Sequence, residues 1–331
     1  MKTKAAKLVA PKRFEVVDVE LPQIARDEVL IKVIACGICT TELPVFDGLV
    51  VGTPGVSFRY KEYPASLGHE VVGTVVTAGE DAAGFTPGDP VTGMTYSGCG
   101  FAQHMIEKAN KLVKVPADVR LEHALGEPLM SVVNVMRQAA PEFGDDVFIV
   151  GDGFLSLLLV AGLAHYPLSN LIIAGHHENR LSLAMKFGAT TALNSHRSDP
   201  WQRVMELTEE KGAEVSIDLA GTPAALRLAA SVCKAKSRAR LVLAATYSNE
   251  MPITVGNYLQ NRAPILVVAY PNQSLTQIDD VRRGLWALSR GIFPMDQLVT
   301  HRFKLSDLNE AMEVVRARKD GYIKGIVLPW A

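Results

Sequence analysis

The stretch that decides the fold is Val147-Phe148-Ile149-Val150-Gly151-Asp152-Gly153-Phe154-Leu155-Ser156. It begins with four apolar residues of the kind that form a buried strand, passes two glycines, and continues as an apolar run towards His165. A short buried strand that turns through glycine into a helix is typical of the first unit of a parallel sheet. We therefore predict a strand at residues 147–150 and a helix from 154 to 165.

Strand and helix candidates alternate along the residues that follow. A second helix candidate covers 179–187, and the further strand candidates are 171–174, 191–193, 215–219, 241–245 and 265–269. Such alternation predicts an α/β fold with a doubly wound parallel sheet of about six strands. The alternation stops near Pro271, where a helical stretch from 278 to 290 leads into the C-terminal segment.

Length and composition bound the class of protein. The chain has 331 residues, of which 48% are hydrophobic and 21% charged, which suggests about two globular domains. The net charge of −1 gives no indication of nucleic acid or anionic membrane as a partner. The most apolar stretch, 155–164, is about half as long as a membrane span. Four cysteines and an N-terminus without a secretory signal predict reduced thiols in the cytoplasm.

Three short motifs in the first part of the chain carry residues suited to chemistry. They are Cys36-Gly37-Ile38-Cys39-Thr40-Thr41-Glu42, Gly68-His69-Glu70 and Gly126-Glu127-Pro128. Each alone also fits a plain structural role: buried cysteines in a turn, a core or surface histidine, a carboxylate held by a cation or hydrogen-bond donors. Together they offer a thiolate, an imidazole and a carboxylate. That set leaves one position of a tetrahedral zinc open for water or substrate, as in catalytic zinc sites.

As an ordered set these motifs resemble the zinc-containing medium-chain dehydrogenase/reductase superfamily. The resemblance covers essentially the whole chain and is carried by residues 33–42, 68–70, 88–89, 126–128 and 298–305. It implies a mostly-β, GroES-like catalytic domain formed by residues 1–128 and 271–331. It also implies a Rossmann nucleotide-binding domain formed by residues 129–270.

The resemblance implies a set of zinc ligands. Cys39, rather than Cys36, would hold one catalytic zinc together with His69 and Glu127. Glu70 would lie beside the ligands or exchange with one of them. Whether Glu70 or Glu127 binds the metal in the resting state stays open at this stage.

The resemblance also bears on the proton path and the substrate. Thr41 would carry the proton from the substrate oxygen, so the expected catalytic residues are Cys39, Thr41, His69 and Glu70. The Glu127-Pro128 pair is similar to the sorbitol, threonine and glucose dehydrogenase branch. We therefore expect a polyhydroxylated or otherwise polar substrate, acted on as a secondary alcohol or as its ketone or aldehyde.

Two departures from the family pattern stand out. Many relatives have a lobe with four cysteines that bind a structural zinc, whereas here ten residues separate Asp89 from Gly100 and Cys99 is the single cysteine near them. We therefore expect no structural zinc. The segment from Phe46 to Ser66 is longer than usual, and its residues Arg59, Tyr60 and Tyr63 predict either a wall of the substrate pocket or a surface loop.

The glycine turn predicts a dinucleotide site. Gly151 and Gly153 would allow the backbone to approach a pyrophosphate at the start of the following helix, and Ser156 replaces the third glycine of the usual pattern. Phe154 and Leu155 at the helix start are expected to contact the cofactor, and so is Ser131.

The end of the second strand predicts the choice of nucleotide. NAD enzymes usually place an acid there to accept the ribose hydroxyls, whereas this chain has Gly175. His176, His177 and Arg180 follow and offer donors to a 2′-phosphate, which favours NADP(H) over NAD(H). The alternative is that Glu178 accepts the ribose hydroxyls and NAD(H) binds.

These observations lead to one expectation and two rivals. The expectation is a zinc-dependent alcohol or polyol dehydrogenase that transfers a hydride between a small molecule and NADP(H). The rivals are a zinc-free quinone or enoyl reductase on the same fold and a nucleotide-binding scaffold or sensor without catalysis. A homodimer or homotetramer joined through the edge of the nucleotide-binding sheet is implied by the resemblance.

Overall fold

The computed structural model describes residues 1–49, 62–95, 99–247, 256–271, 274, 276–318 and 321–331. The chain forms two compact units. One contains Met1–Met130, Thr276–Gly291 and Met295–Ala331, and the other contains Ser131–Leu275 and Ile292–Pro294. The boundaries expected from the sequence, after residues 128 and 270, stay a prediction.

The second unit is built on a parallel sheet of six strands. These strands are β9 (Asp146–Val150), β10 (Asn170–Gly175), β11 (Thr191–Asn194), β12 (Val215–Asp218), β13 (Arg240–Leu243) and β14 (Ile265–Val268). Their order is β11-β10-β9-β12-β13-β14, and every neighbouring pair is parallel. The order reverses next to β9, as in a doubly wound sheet whose first strand lies at the switch point.

Helices follow the strands of this sheet. They are α3 (Phe154–Leu163), α4 (Glu178–Lys186), α5 (Pro200–Leu207), α6 (Pro223–Ser231) and α7 (Gly256–Arg262). The start of α5 is fixed by Asp199, whose side chain accepts from Trp201 N at 2.9 Å, and by the proline at its first position. Residues 156–163 of α3 are all buried, which explains why the sequence there is apolar on every side.

The first unit consists mainly of antiparallel strands. They are β1 (Lys2–Ala10), β2 (Arg13–Glu20), β3 (Glu28–Gly37), β4 (Ala65–Ser66), β5 (Glu70–Ala78), β6 (Pro90–Gly93), β7 (His104–Lys108), β8 (Leu112–Lys114), β15 (Val299–Phe303) and β16 (Lys324–Val327). One sheet has the order β2-β1-β4, and a larger one has the order β15-β16-β3-β5-β6-β8 with β7 paired to β3. The two C-terminal strands thus join a sheet that begins with residue 28.

The helices of this unit lie at its chain connections. They are α1 (Leu43–Phe46), the start of α2 (Gly126–Ala139), α8 (Gln277–Ser289), α9 (Met295–Leu298) and α10 (Leu308–Ala317). The core of this unit includes Phe14, Phe46 and Phe101, with Phe14 stacked on Phe46 and meeting Phe101 edge to face. In the part of the chain that the structure describes, no helix is long and apolar enough to cross a membrane.

The predicted fold class is confirmed. The strands expected at 147–150, 171–174 and 191–193 agree with β9, β10 and β11 to within one residue at each end. These strands could be predicted from the sequence because strands buried on both faces appear as short continuous apolar runs. Most of the long segment between residues 46 and 66, with Arg59 and Tyr60, lies outside the described residues.

Candidate active site

The candidate site is built around Cys39, immediately after β3. A short 3-10 turn, Thr40–Glu42, follows the strand, and Cys39 precedes its first residue with extended backbone angles. Gly37 is required here, because a Cβ on it would overlap the carboxylate of Glu70. The strand therefore ends in a tight turn that brings the Cys39 thiol towards β5.

Three side chains with metal-ligating atoms converge at this turn. The candidate ligand atoms of Cys39, His69 and Glu70 all lie within 4.8 Å of one another. They come from the end of β3 and the start of β5, strands that pair antiparallel with Gly37 opposite Glu70. Of all the residues that the structure describes, these three form the one group of this kind.

Glu42 holds the histidine of this cluster in place. Its carboxylate is fully buried, accepts a hydrogen bond from Gly68 N at 2.7 Å, and lies 3.2 Å from His69 Nδ1. Thr95 fixes the backbone of the same histidine by donating to His69 O at 2.7 Å. A carboxylate on one ring nitrogen orients the other nitrogen towards a metal, as in the common carboxylate–histidine–zinc arrangement.

Lys324 balances the charge of the second buried carboxylate. From β16 its Nζ lies 2.6 Å from both Oε1 and Oε2 of Glu70, and it donates to Ile38 O at 3.0 Å. The two side chains are 5% and 2% exposed, so this is an ion pair removed from water. Burial opposes the charged form of Lys324, but the negative charges of Glu70 and Cys39 outweigh it and raise its pKa.

The charge of His69 depends on its neighbours in the same way. Burial lowers its pKa, but contacts with the Cys39 sulfur and the Glu42 carboxylate outweigh burial and raise the pKa well above its ordinary value. A divalent cation bound to this histidine and thiol would take the place of their protons, so binding would release protons.

The remaining residues predicted for this site have distinct places. Thr41 lies half-buried in the 3-10 turn that follows Cys39. Cys36 is fully buried, and burial followed by the charges of Glu42 and Glu70 raises its pKa well above the ordinary value. Glu127 lies in the first turn of α2, outside the three-residue cluster. Its role as the third zinc ligand stays a prediction.

A zinc ion fits the residues that are present. The cluster supplies a thiol, an imidazole and a carboxylate, the ligand types that bind zinc. Glu42 contacts one nitrogen of the His69 imidazole. Lys324 pairs with Glu70, so the charge of this carboxylate is balanced without metal. If Glu70 left Lys324 to bind zinc, its carboxylate would exchange one cationic partner for another.

The second candidate site is the turn from β9 into α3. Gly151 has φ +111°, where a side chain would be strained, and a Cβ on it would lie 3.1 Å from Ala220 N. A Cβ on Gly153 would meet nothing within 4 Å, so its backbone faces open space. Gly153 precedes α3 without a side-chain cap, and Phe154 and Leu155, both partly buried, begin the helix. This is the geometry that accepts a pyrophosphate.

The residues predicted to select the nucleotide lie at the end of β10. Gly175 is buried, His176 is exposed, His177 is half-buried and Arg180 is 3% exposed. The guanidinium of Arg180 faces Asp152 at 3.7 Å, so it is turned into the protein rather than towards solvent. Ser131, also predicted to contact the cofactor, is 5% exposed in α2.

Four residues of these sites have no role in the sequence analysis. Glu42 and Thr95 support His69, Lys324 pairs with Glu70, and Asp152 pairs with Arg180. Glu42 was accessible to prediction, because it stands three residues after Cys39 at the end of the same motif. Lys324 is 254 residues from its partner, and nothing local in the sequence relates the two.

Two family models match this chain. The alcohol dehydrogenase GroES-like domain matches residues 25–118, and the zinc-binding dehydrogenase domain matches residues 155–285. The first range contains Cys39, Thr41 and His69, and the second contains the end of β10 with Gly175.

Relatives and solved structures are similar over nearly the whole chain. An L-threonine 3-dehydrogenase of Pyrococcus abyssi is 29% identical over 93% of this chain and 94% of its own length. A sorbitol dehydrogenase of Bacillus subtilis is 26% identical, with 98% of this chain and 97% of the relative covered.

A crystal structure described as a zinc-binding dehydrogenase of Sinorhizobium meliloti, bound to NADP, has the same fold. Its TM-score is 0.84 at 23% identity, with 99% of this chain and 100% of that chain covered. The chain therefore belongs to the zinc-type medium-chain alcohol dehydrogenase superfamily and is an NAD(P)-dependent oxidoreductase that acts on CH–OH groups.

Proposed function

We propose that the protein is a zinc- and NADP(H)-dependent dehydrogenase of a small secondary alcohol or polyol. The observation that carries this proposal is the convergence of Cys39, His69 and Glu70, with their ligand atoms within 4.8 Å. A zinc-free reductase on this fold needs no such set. Bound at these residues, zinc would act as a Lewis acid that stabilises negative charge on a substrate oxygen.

Cys39 and His69 are the ligands on which the proposal depends most. The third ligand is Glu127 by family resemblance, whereas the arrangement of side chains favours Glu70, which already lies beside the other two. We propose that Glu127 completes the set and that Glu70 exchanges with it, held in reserve by Lys324. Glu42 keeps the His69 ring oriented in either case.

Thr41 is proposed to move the substrate proton. It lies two residues after Cys39 and is half-buried in the 3-10 turn that follows that residue. A hydroxyl can accept a proton from the substrate alcohol while donating its own onward, which is the minimum that a relay requires.

The substrate class follows from relatives and from the carboxylate at 127. Proteins similar along the whole chain are named for threonine and for sorbitol, both of them hydroxylated and polar. Glu127 is the residue in which this chain is similar to that branch. We therefore propose a polar substrate with a secondary hydroxyl, oxidised to a ketone or formed from one.

NADP(H) is the proposed cofactor. Position 175 carries no acid, and the exposed His176 and half-buried His177 follow it directly. A 2′-phosphate brings about one and a half to two negative charges, which imidazole N–H groups can satisfy. Glu178 is paired with Arg197 at 3.1 Å, which argues against its use as the ribose acceptor.

A homodimer or homotetramer is proposed from the edge of the parallel sheet. The strand at this edge is β14, and Ile265, Leu266 and Val268 on it are 42%, 47% and 62% exposed. An apolar edge strand invites pairing with a second chain, and a symmetric dimer would cover it. The cytoplasmic location expected from the composition stays a prediction, and the four cysteines are free thiols.

One experiment separates this proposal from its rivals. Purified protein would be assayed for metal by elemental analysis and for turnover against a panel of alcohols and ketones with NAD(H) and NADP(H). We expect about one zinc per chain and turnover of a polar secondary alcohol, faster with NADP(H). Turnover of quinones or enoyl compounds without zinc would favour the reductase. Tight nucleotide binding with no turnover of any substrate would favour the scaffold.

A further inference from the structure

A carboxylate stands beside Gly175 although position 175 carries none. A Cβ added to Gly175 would lie 2.5 Å from the Cβ of Asp152 and 2.6 Å from its Cγ. Real side chains do not approach so closely, so any residue other than glycine at 175 would have to displace Asp152. NAD enzymes place an acid at the end of this strand. Here the carboxylate of Asp152, 23 positions earlier in the chain, occupies the space where that side chain would begin.

Asp152 is fully engaged with the loop after β10. Its Oδ2 accepts from His176 N at 2.7 Å and from His177 N at 2.8 Å. The same oxygen lies 3.0 Å from His177 Nδ1. Burial raises the pKa of Asp152, but these backbone and ring hydrogen bonds outweigh burial and lower it. The side chain is therefore a carboxylate whose hydrogen-bond donors come from the protein itself.

Arg180 neutralises this carboxylate. Its Nη1 lies 3.7 Å from Asp152 Oδ1, and the two side chains are 4% and 6% exposed. A buried acid without a cation would repel a phosphate nearby, and the repulsion would be poorly screened. With Arg180 in place, the pair presents no net charge to a ligand at the end of β10.

His177 is the member of the group that can face a ligand. Its side chain is 39% exposed, and its Nδ1 is held by Asp152. Within the described part of the chain no hydrogen bond engages its Nε2, so that atom is open to a ligand. With a proton on both ring nitrogens, Nδ1 would donate to Asp152 and Nε2 to a phosphate oxygen. His176 beside it packs on His196, with ring centroids 4.5 Å apart, so a second imidazole pair borders the same place.

We infer that Asp152 is the acidic determinant of cofactor choice: neutralised by Arg180, it fills the space at Gly175 and positions His177 for the adenine ribose and its 2′-phosphate. The inference rests on the proposed use of NADP(H) and gives Arg180 a role different from the one expected from the sequence. Arg180 acts through Asp152, as a positioning and neutralising residue, and does not itself bind the phosphate.

The decisive experiment compares Arg180→Met with the double variant Asp152→Asn/Arg180→Met. Binding of NADP⁺ and NAD⁺ to the full-length protein would be measured by calorimetry, so that no turnover is needed. Arg180→Met should lower the selectivity for NADP⁺ roughly tenfold, because Asp152 is then an uncompensated acid. The double variant removes that acid but keeps an amide oxygen that can accept from the N–H groups of His176 and His177, so most of the wild-type selectivity should return. Selectivity that stays low in the double variant would mean that Arg180 contacts the phosphate itself, which overturns the inference.

A second comparison moves the acid instead of removing its partner. Gly175→Asp alone should lower the melting temperature, because the new side chain overlaps Asp152. The exchange Asp152→Gly/Gly175→Asp has the same composition and charge and frees that space. It should fold and shift selectivity towards NAD⁺, since the acid at the strand end can then accept ribose hydroxyls. Unchanged selectivity in the folded exchange variant would contradict the inference.

The choice of cofactor and the role of Asp152 are tested by different measurements. If the wild-type protein binds NAD⁺ more tightly than NADP⁺, the proposed cofactor is wrong. The inference about Asp152 is judged separately, from the change in selectivity between Arg180→Met and the double variant. Adenosine 2′,5′-bisphosphate and adenosine 5′-monophosphate serve as probes of the same contrast without the nicotinamide. Thermal unfolding of each variant shows whether it is folded, and the exchange variant decides the question if Arg180→Met is not.

Discussion

Each of the two units contains a histidine whose ring is held by a buried acid. In the first unit, called the catalytic unit because it contains Cys39 and His69, His69 Nδ1 lies 3.2 Å from Glu42. In the second unit, called the nucleotide unit because it contains the glycine turn, His177 Nδ1 lies 3.0 Å from Asp152. Both acids also accept backbone N–H groups. Each arrangement fixes a ring through its Nδ1. In the proposed function, Nε2 of His69 binds the metal through its lone pair, and Nε2 of His177 donates a proton to the nucleotide phosphate.

The difference lies in how the buried charge is balanced. In the catalytic unit two acids have separate roles. Glu42 orients His69, and Glu70 forms an ion pair with Lys324. In the nucleotide unit Asp152 serves both the histidine and Arg180. Changes in the catalytic unit should therefore be separable, one effect for each acid, whereas changes at Asp152 should affect orientation and charge together.

The largest effect should come from the ligands themselves. His69→Ala or Cys39→Ala removes one ligand of the proposed zinc, so zinc content and dehydrogenase activity should both be lost while the chain still folds. Elemental analysis, turnover and circular dichroism measure the three quantities.

Cys36→Ala is the matched control for the cysteine. Cys36 is buried in the core behind the same turn and should keep zinc and activity. If the outcome were reversed, with Cys36 essential and Cys39 dispensable, the ligand assignment would be wrong.

The next effect concerns the separate cation. Lys324→Met keeps the length of the side chain but leaves Glu70 as a buried acid without a partner. The free energy of unfolding of the metal-free protein should fall by about 3–5 kcal/mol, measured by denaturant titration. Lys4→Met breaks an exposed pair with Asp18 and should cost no more than about 1 kcal/mol. Equal small losses for both variants would show that Lys324 does not balance Glu70.

A smaller effect is expected at Thr41, which neither binds metal nor balances charge. Thr41→Val keeps the shape and removes the hydroxyl, so turnover should fall about a hundredfold with zinc content unchanged. The neighbouring Thr40 is exposed in the same turn, and Thr40→Val should leave turnover intact. Turnover in Thr41→Val at the level of the Thr40 control would assign the proton to another group.

The sequence predicted one kind of feature well and another poorly. The glycine turn, the strands around it and the Cys39 and His69 motifs could be predicted because each depends on residues adjacent in the chain. Strands buried on both faces and turns that need φ > 0 leave a local pattern. The α/β class and the parallel sheet follow from that pattern.

Charge balance could not be predicted in the same way. Lys324 meets Glu70 across 254 residues and Asp152 meets His177 across 25, and in both cases the partner is set by strand order. That position 175, the last residue of β10, carries no acid is visible in the sequence. The sequence could not show that Asp152 occupies the same space, because a side chain from the neighbouring strand end leaves no mark in the local sequence.

The smallest effect is expected when an acid is replaced by its amide, a change that can be made at both Glu42 and Asp152. It therefore compares the two histidine–acid pairs directly. Glu42→Gln keeps an oxygen that can accept from Gly68 N but loses the charge that holds His69. Zinc affinity should weaken by about 10- to 100-fold, the range for a lost hydrogen-bond partner of a ligand, as measured by competition with a chelator.

Asp152→Asn is the cross-control, since it makes the corresponding change at the other histidine. It should leave zinc affinity unaltered and change nucleotide selectivity, because Arg180 is still present and then lacks its acid. Glu42→Gln should leave nucleotide binding unaltered. This reciprocal pattern follows because each acid contacts the histidine of its own unit. If Glu42→Gln changed nucleotide selectivity as much as zinc affinity, the two histidine–acid pairs would not be independent. The division of roles between the two units would then be wrong.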